Sequence, residues 1–195
     1  MNMRYFVTVV LFIASMTGAK AKNNISVDYT EESELVSVIA HLAKVPGYIW
    51  PAEQAGVIDY FHQVDSTFAP YSNHPIMAFV ADSLVKQGFG YHVPVAMALR
   101  LKLKNGKLHY NTDLEPDFNH YYRGITPQHE KKLIALLEDF YKKAHFHSFF
   151  KKNQPLYNAC KQTMQQQLVD KIDLDWYKSF FGPINNISFH IIGVR

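Results

Sequence analysis

The chain is short of almost everything that would announce a chemistry. It has one cysteine, Cys160, so no disulfide can close within it and stability has to come from burial. No Cys-His catalytic pattern surrounds that thiol. Its neighbours Ala159 and Lys161 sit in a plain amphipathic run, which predicts a small buried side chain on a helix. There is no Gly-x-Ser-x-Gly elbow, no Walker loop and no calcium loop. Gly88-Phe89-Gly90 lacks the third glycine and the preceding strand of a dinucleotide loop, and reads as a helix exit. Beyond residue 16 no apolar stretch is long enough to cross a bilayer. An excess of one charge is missing too. The net charge is +3, and it drops to +1 when Arg4 and Lys20 are set aside with the N-terminal leader, which excludes a general nucleic-acid binder.

That leader is the first thing present. Arg4 gives a positive start, and Tyr5 to Met16 is an apolar run of about a dozen residues, the length of a signal-peptide core. Ala19-Lys20-Ala21 fits the small-x-small cleavage pattern. The sequence therefore divides into a signal peptide (1–21), a linker (22–29) and a helix-rich domain (30–195), destined for the periplasm or secretion, with no membrane association beyond the cleaved leader. Asn24 and Asn186 open N-x-S sequons, which matter only on a eukaryotic secretory route.

The rest is expected to be mostly α-helical α+β, with about seven or eight helices. Thr30 with Glu31 and Glu32 marks a helix start, followed by Leu35, Val38, Ile39 and Leu42 at helical spacing and stopped by Pro46-Gly47. A second helix is read from about Glu53 to Thr67. A third opens at His74-Pro75, and a fourth runs from Val93 to about Leu101. Residues 101–110 then alternate around Asn105-Gly106, the pair that tolerates a tight hairpin turn. Thr126-Pro127 starts the clearest helix, carrying Leu133, Ile134, Leu137 and Phe140. Two further helices use Phe146, Phe149 and Phe150, then Tyr157, Cys160, Met164 and Leu168. Trp176 and Phe180 belong to an aromatic helix expected in the core. Ile187 to Val194 reads as a strand, pairing either with the hairpin or with strands beyond Arg195.

Ten histidines invite a metal. His129-Glu130-Lys131-Lys132-Leu133 begins like the zinc-protease helix, but Leu133 stands where the second imidazole is required and falls on the apolar stripe. His145 and His147 diverge on a helix. Asp113, Glu115 and Asp117 lack the turn glycine and distal acid of a calcium loop. No catalytic, metal or cofactor residue is assigned. The candidate ligand-facing residues are Phe118, His120, Tyr121, Tyr122 and Arg123, where rings beside a cation suit a peptide or a glycan; the alternative is that these rings fold back to seal the core.

Several phrases resemble an exported bacterial family, the one catalogued as domain of unknown function 4932. They are Glu34-Leu35-Val36-Ser37-Val38-Ile39 with Pro46-Gly47-Tyr48; Tyr60-Phe61 through Phe68, Tyr71 and His74-Pro75; Gly90-Tyr91-His92-Val93-Pro94 with Met97-Ala98; Phe140-Tyr141 through Phe149-Phe150; and Asp175-Trp176-Tyr177 with Phe180-Phe181-Gly182. The resemblance implies a relative of zincin-type metallopeptidases. Longer members continue from a strand similar to residues 187–194 to a His-Glu-x-x-His helix. This chain carries only the N-terminal helical portion and no such helix. Zinc is implied for the longer members alone, and this portion is expected to be inactive by itself. The alternative expectation is a non-catalytic periplasmic module that binds a peptide or glycan.

Overall fold

The computed structural model describes residues 12–16, 25–49, 58–111, 124–173, 176, 179, 180, 182 and 187–193. The fold is mostly α-helical α+β, as the periodicity implies. Strand β1 (Phe12–Met16) and strand β2 (Ile25–Asp28) precede helix α1 (Glu31–Leu42). Thr30 caps α1 by accepting from the Ser33 N–H, and Glu31, Glu32 and Glu34 sit at the positive end of its dipole. Every residue of α1 from Ser33 to His41 is buried, so α1 is an axis of the array rather than an amphipathic cover. Helix α4 (Val93–Leu99), buried along its whole length, lies against it.

Around this pair stand α2 (Ile58–Phe68), the short α3 (Pro75–Ala78), α5 (Pro127–Lys143), α6 (Phe146–Lys152) and α7 (Gln154–Gln167). Pro75 occupies the first turn of α3. His74 is its N-cap: the Ile76 N–H donates to His74 Nδ1, so Nε2 carries the proton and donates to Asp139 on α5 at 3.0 Å. Residues 79–84 widen into a π turn and end at Gly88 in the left-handed region. Helix α5 begins with a capping box. Thr126 Oγ1 accepts from the His129 N–H while His129 Nδ1 accepts from the Thr126 N–H. The core is aromatic: the Phe68 ring meets Phe140, Phe146 and Phe149 at centroid distances of 5.5, 5.8 and 4.9 Å.

The hairpin is present. Strands β3 (Leu101–Lys104) and β4 (Lys107–Tyr110) pair antiparallel, and Asn105 and Gly106 both take positive φ, 52° and 72°, as a two-residue primed turn requires. Lys107 and the Leu108 N–H bind Glu138 and fasten the hairpin to α5.

Strand β5 (Ile187–Ile192) does not pair with the hairpin. It is the central strand of a sheet in the order β1-β5-β2, parallel to β2 and antiparallel to β1. The strands on either side of the helical array therefore meet, because the array is one long excursion between parallel neighbours. A second small core (Val27, Met164 and Ile191) fixes this sheet to α7. Tyr29 joins both cores by stacking on Tyr157 at 5.7 Å. Gly193 lies so close to the Tyr29 ring that a Cβ there would come within 2.3 Å of it, so no larger residue fits without displacing that ring.

Four expectations need correction. Trp176 and Phe180 stack on each other at 5.3 Å but are 52 % and 68 % exposed, so they are not core residues. Leu168 is exposed and Cys160 only half-buried, because the buried face of α7 is carried by Tyr157 and Met164. Phe12–Met16, read as part of a leader outside the fold, forms β1. The strand partners of β5 lie N-terminal to it. The start of the second helix before residue 58 lies outside the described residues.

Candidate functional site

The least expected feature is a polar stripe through the core. Of the six buried polar residues among the described ones, four lie on α1: Ser33, Glu34, Ser37 and His41. Their spacing of three and four residues stacks them along adjacent lines of the helix. Apolar periodicity in the same helix marks Leu35, Val38 and Ile39, which are buried too, so both faces of α1 are enclosed.

Each polar group needs a partner where water is excluded. Glu34, 1 % exposed, accepts from the Tyr60 hydroxyl of α2. The Tyr60 proton being committed to Glu34, the Tyr157 hydroxyl of α7 donates to Tyr60 at 3.1 Å. Burial first, then the charge of Glu34, holds the Tyr60 phenol well above its ordinary value, which keeps it a donor. Two turns beyond Glu34, His41 stacks on Phe61 at 4.5 Å. Its Nδ1 faces the Tyr48 carbonyl at 3.1 Å and its Nε2 the Asp65 carboxylate at 2.9 Å.

Ser37, His41 and Asp65 look at first like a nucleophile, a base and an orienting acid. They cannot act as one. Both ring nitrogens of His41 already face acceptors, so neither is left to take a proton from Ser37. The Ser37 hydroxyl is fully buried and makes no hydrogen bond among the described residues. A triad needs the base bonded to the nucleophile and a reachable point of attack. Glu34 with Tyr60 and Tyr157 is likewise sealed, so a substrate would have to open the core to touch it. The stripe's chemistry is hydrogen bonding that keys α1 to α2 and α7.

The histidines do not gather. His129 caps a helix and Glu130 pairs with Arg100 at 2.7 Å, while Leu133 is buried, as its place on the stripe requires. His145 precedes α6 in the left-handed region, and His147 bonds Glu31 at 3.0 Å. His74 belongs to Asp139. Among the described residues no three of His, Cys, Asp and Glu form a group able to hold a metal ion.

Phe118, His120, Tyr121, Tyr122 and Arg123 lie outside the described residues, as do Asp113, Glu115 and Asp117. Their flanks are described. Asn111 donates its backbone N–H to the Arg100 carbonyl at 2.7 Å and its side-chain amide to Leu99 at 3.2 Å. Gly124 passes so close to Gln87 that a Cβ would stand 2.6 Å from its carbonyl oxygen. Beside Asn111, Arg100, Tyr110 and Glu130 line a small cleft with Met97 and Leu133. The Arg100 guanidinium lies 5.9 Å from the centre of the Tyr110 ring, and the Tyr110 hydroxyl donates to Glu130 at 3.3 Å. The cleft has room for about one water molecule.

No family model, no curated protein and no solved structure matches this chain.

Proposed function

We propose that this chain is an exported helical scaffold, the non-catalytic portion of a zincin-like metallopeptidase relative, without peptidase activity of its own. The observation that supports the reading is that the phrases behind the resemblance touch one another. Glu34 meets Tyr60. Pro46-Gly47 lies against Gly90-Tyr91, with the Tyr91 N–H donating to the Pro46 carbonyl at 2.8 Å. His74 meets Phe140, and Phe149 meets both Tyr60 and Phe68. Residues spread over more than a hundred positions thus touch one another, most of them in the interior and Gly47 with Tyr91 at the surface, which is what a shared scaffold asks of them. Of the phrase around Trp176, the described rings of Trp176 and Phe180 are exposed.

Two measurements test the proposal. DNA downstream of the Arg195 codon should encode a His-Glu-x-x-His segment, in frame or after a frameshift. The purified chain should bind no stoichiometric zinc and cleave no peptide. Chelator-sensitive proteolysis, restored by added zinc, overturns the reading.

The anchoring of residue 111 at Arg100 and of residue 124 at Gln87 favours one alternative, a periplasmic module that presents residues 118–123 to a peptide or glycan. In that case Tyr121→Ala with Tyr122→Ala abolishes capture of the partner and leaves the melting temperature unchanged. Unaltered capture counts against the loop.

A further inference from the structure

Strand β5 has two edges. One carries β2. The other carries β1, residues 12–16, in an antiparallel register that runs from Phe12 opposite Ile191 to Met16 opposite Ile187. These residues belong to the apolar run that precedes the Ala19-Lys20-Ala21 cleavage pattern. Cleavage after Ala21 removes β1 and leaves a row of backbone N–H and C=O groups along β5. Both described apolar cores take their buried residues from position 27 onward.

We infer that the β5 edge of the exported chain pairs with the β5 edge of a second copy, and that β1 blocks this pairing until the leader is removed. Three observations favour a second copy as the occupant. First, the edge takes its partner antiparallel, and two identical edges related by a twofold axis pair antiparallel. Second, the devices that guard natural edges are missing: Ile187-Ser188-Phe189-His190-Ile191-Ile192 contains no lysine, no proline and no acid, and is rich in β-branched residues. Third, a pairing centred on Phe189 spans residues 187–191, the stretch that β1 occupies. It sets each His190 opposite the partner's Ser188, and β5 already makes a Ser–His pair across its other edge, where Ser26 lies opposite His190 with Oγ and Nδ1 2.8 Å apart. The inference rests on the export reading, and only through cleavage of the leader.

The test compares the full chain with a chain begun at Lys22, by light scattering after gel filtration at micromolar concentration. The full chain should run at monomer mass and the Lys22 chain at twice that. Register is read by oxidative crosslinking in a Cys160→Ser background. Phe189→Cys faces itself across the axis, and directly opposed strand positions lie within disulfide reach. It should crosslink, whereas His190→Cys, which faces the partner's Ser188, should not. His190→Lys should return the Lys22 chain to a monomer. A monomeric Lys22 chain overturns the inference, as does a full chain that dimerises equally well. A Lys22 chain that binds a synthetic peptide of residues 10–18 yet stays monomeric overturns the second copy as occupant. N-terminal sequencing of exported protein decides cleavage separately, so a failed export reading is distinguishable from a failed pairing.

Discussion

Replacing Phe68 with Ala should cost this fold far more than replacing Phe180, although both residues are phenylalanines in aromatic helical segments. Phe68 is 1 % exposed and its ring meets three other rings. Truncating a buried Phe to Ala costs ~3–5 kcal/mol, the transfer term plus the cavity left behind. Each ring pair adds ~0.5–1.5 kcal/mol beyond buried area, which places Phe68 in the upper half of that range. At ~2–4 °C per kcal/mol for a chain of this size, the melting temperature should fall by roughly 10–20 °C. Phe180 is 68 % exposed and stacks on Trp176, itself exposed, so its loss should cost at most ~1 kcal/mol. Urea unfolding followed by circular dichroism measures both, and the slope of the transition should be unchanged so that the midpoint reports stability. A cost below ~1.5 kcal/mol for Phe68→Ala, or equal costs for the two, refutes the placement of the core on α2, α5 and α6.

Three further outcomes follow from single positions. Gly106→Ala should cost about 1–2 kcal/mol, because φ of 72° strains an L residue while the new Cβ meets only Tyr141 at an ordinary 3.6 Å; denaturant titration shows it, and no loss argues against the primed turn. The Lys143 hydrogen bond first, with His74 adding to it, holds the Asp139 carboxyl below its ordinary 3.8. Its contribution is therefore present above pH 3.8 and lost as pH falls through the lower folded value. Melting curves across that acid range should show the gap between the parent and Asp139→Asn closing as pH drops. Burial first, then its hydrogen bond to Glu31 and that group's charge, pushes the Tyr141 phenol up to about 12 from 10.0. The stability linked to it is complete below pH 10 and lost between 10 and about 12. Tyr141→Phe should shallow the alkaline loss in that window, and a phenolate absorbance change for Tyr141 near pH 10 would contradict the shift.

Much of this fold could be read from the chain because local chemistry decided it. Thr30 and Thr126 start helices because a hydroxyl satisfies N–H groups that the first turn leaves over. Asn105-Gly106 makes a hairpin because both positions tolerate positive φ. What stayed hidden depends on distance along the chain. No local pattern distinguishes the strand at Ile187 that pairs with its own N-terminal segments from one that pairs with the hairpin. Aromatic density around Trp176 resembles a core helix, but density does not record which face is buried, and Trp176 and Phe180 stay exposed. The α1 stripe failed for the same reason. Ser33, Glu34, Ser37 and His41 look like a solvated face until α2 and α7 close over it. No motif could have revealed the site, because its members, Glu34, Tyr60 and Tyr157, are brought together by tertiary packing alone.

That stripe makes one more prediction, about why a core helix keeps a carboxyl. A buried hydrogen-bonded pair adds little net stability over a well-packed apolar pair, yet removing one member strands the other. Tyr60→Phe removes one donor from the Glu34 carboxyl and one partner from the Tyr157 hydroxyl, which should cost ~1–3 kcal/mol. Glu34→Leu removes the carboxylate that accepts the Tyr60 proton, with the Tyr157 hydroxyl still beside it, and should cost a similar amount. The double variant removes both and refills the space with apolar atoms, so it should cost clearly less than the sum, by a coupling of ~1–3 kcal/mol. A double-mutant cycle in urea measures that coupling. If the two losses add to within ~0.5 kcal/mol, the Glu34–Tyr60 bond does not set how α1 meets α2. If coupling appears and the double variant is as stable as the parent but melts less cooperatively, the polar stripe serves uniqueness of packing: apolar side chains tolerate a helix slipped or rotated by a fraction of a turn, whereas a carboxyl that must meet one hydroxyl does not.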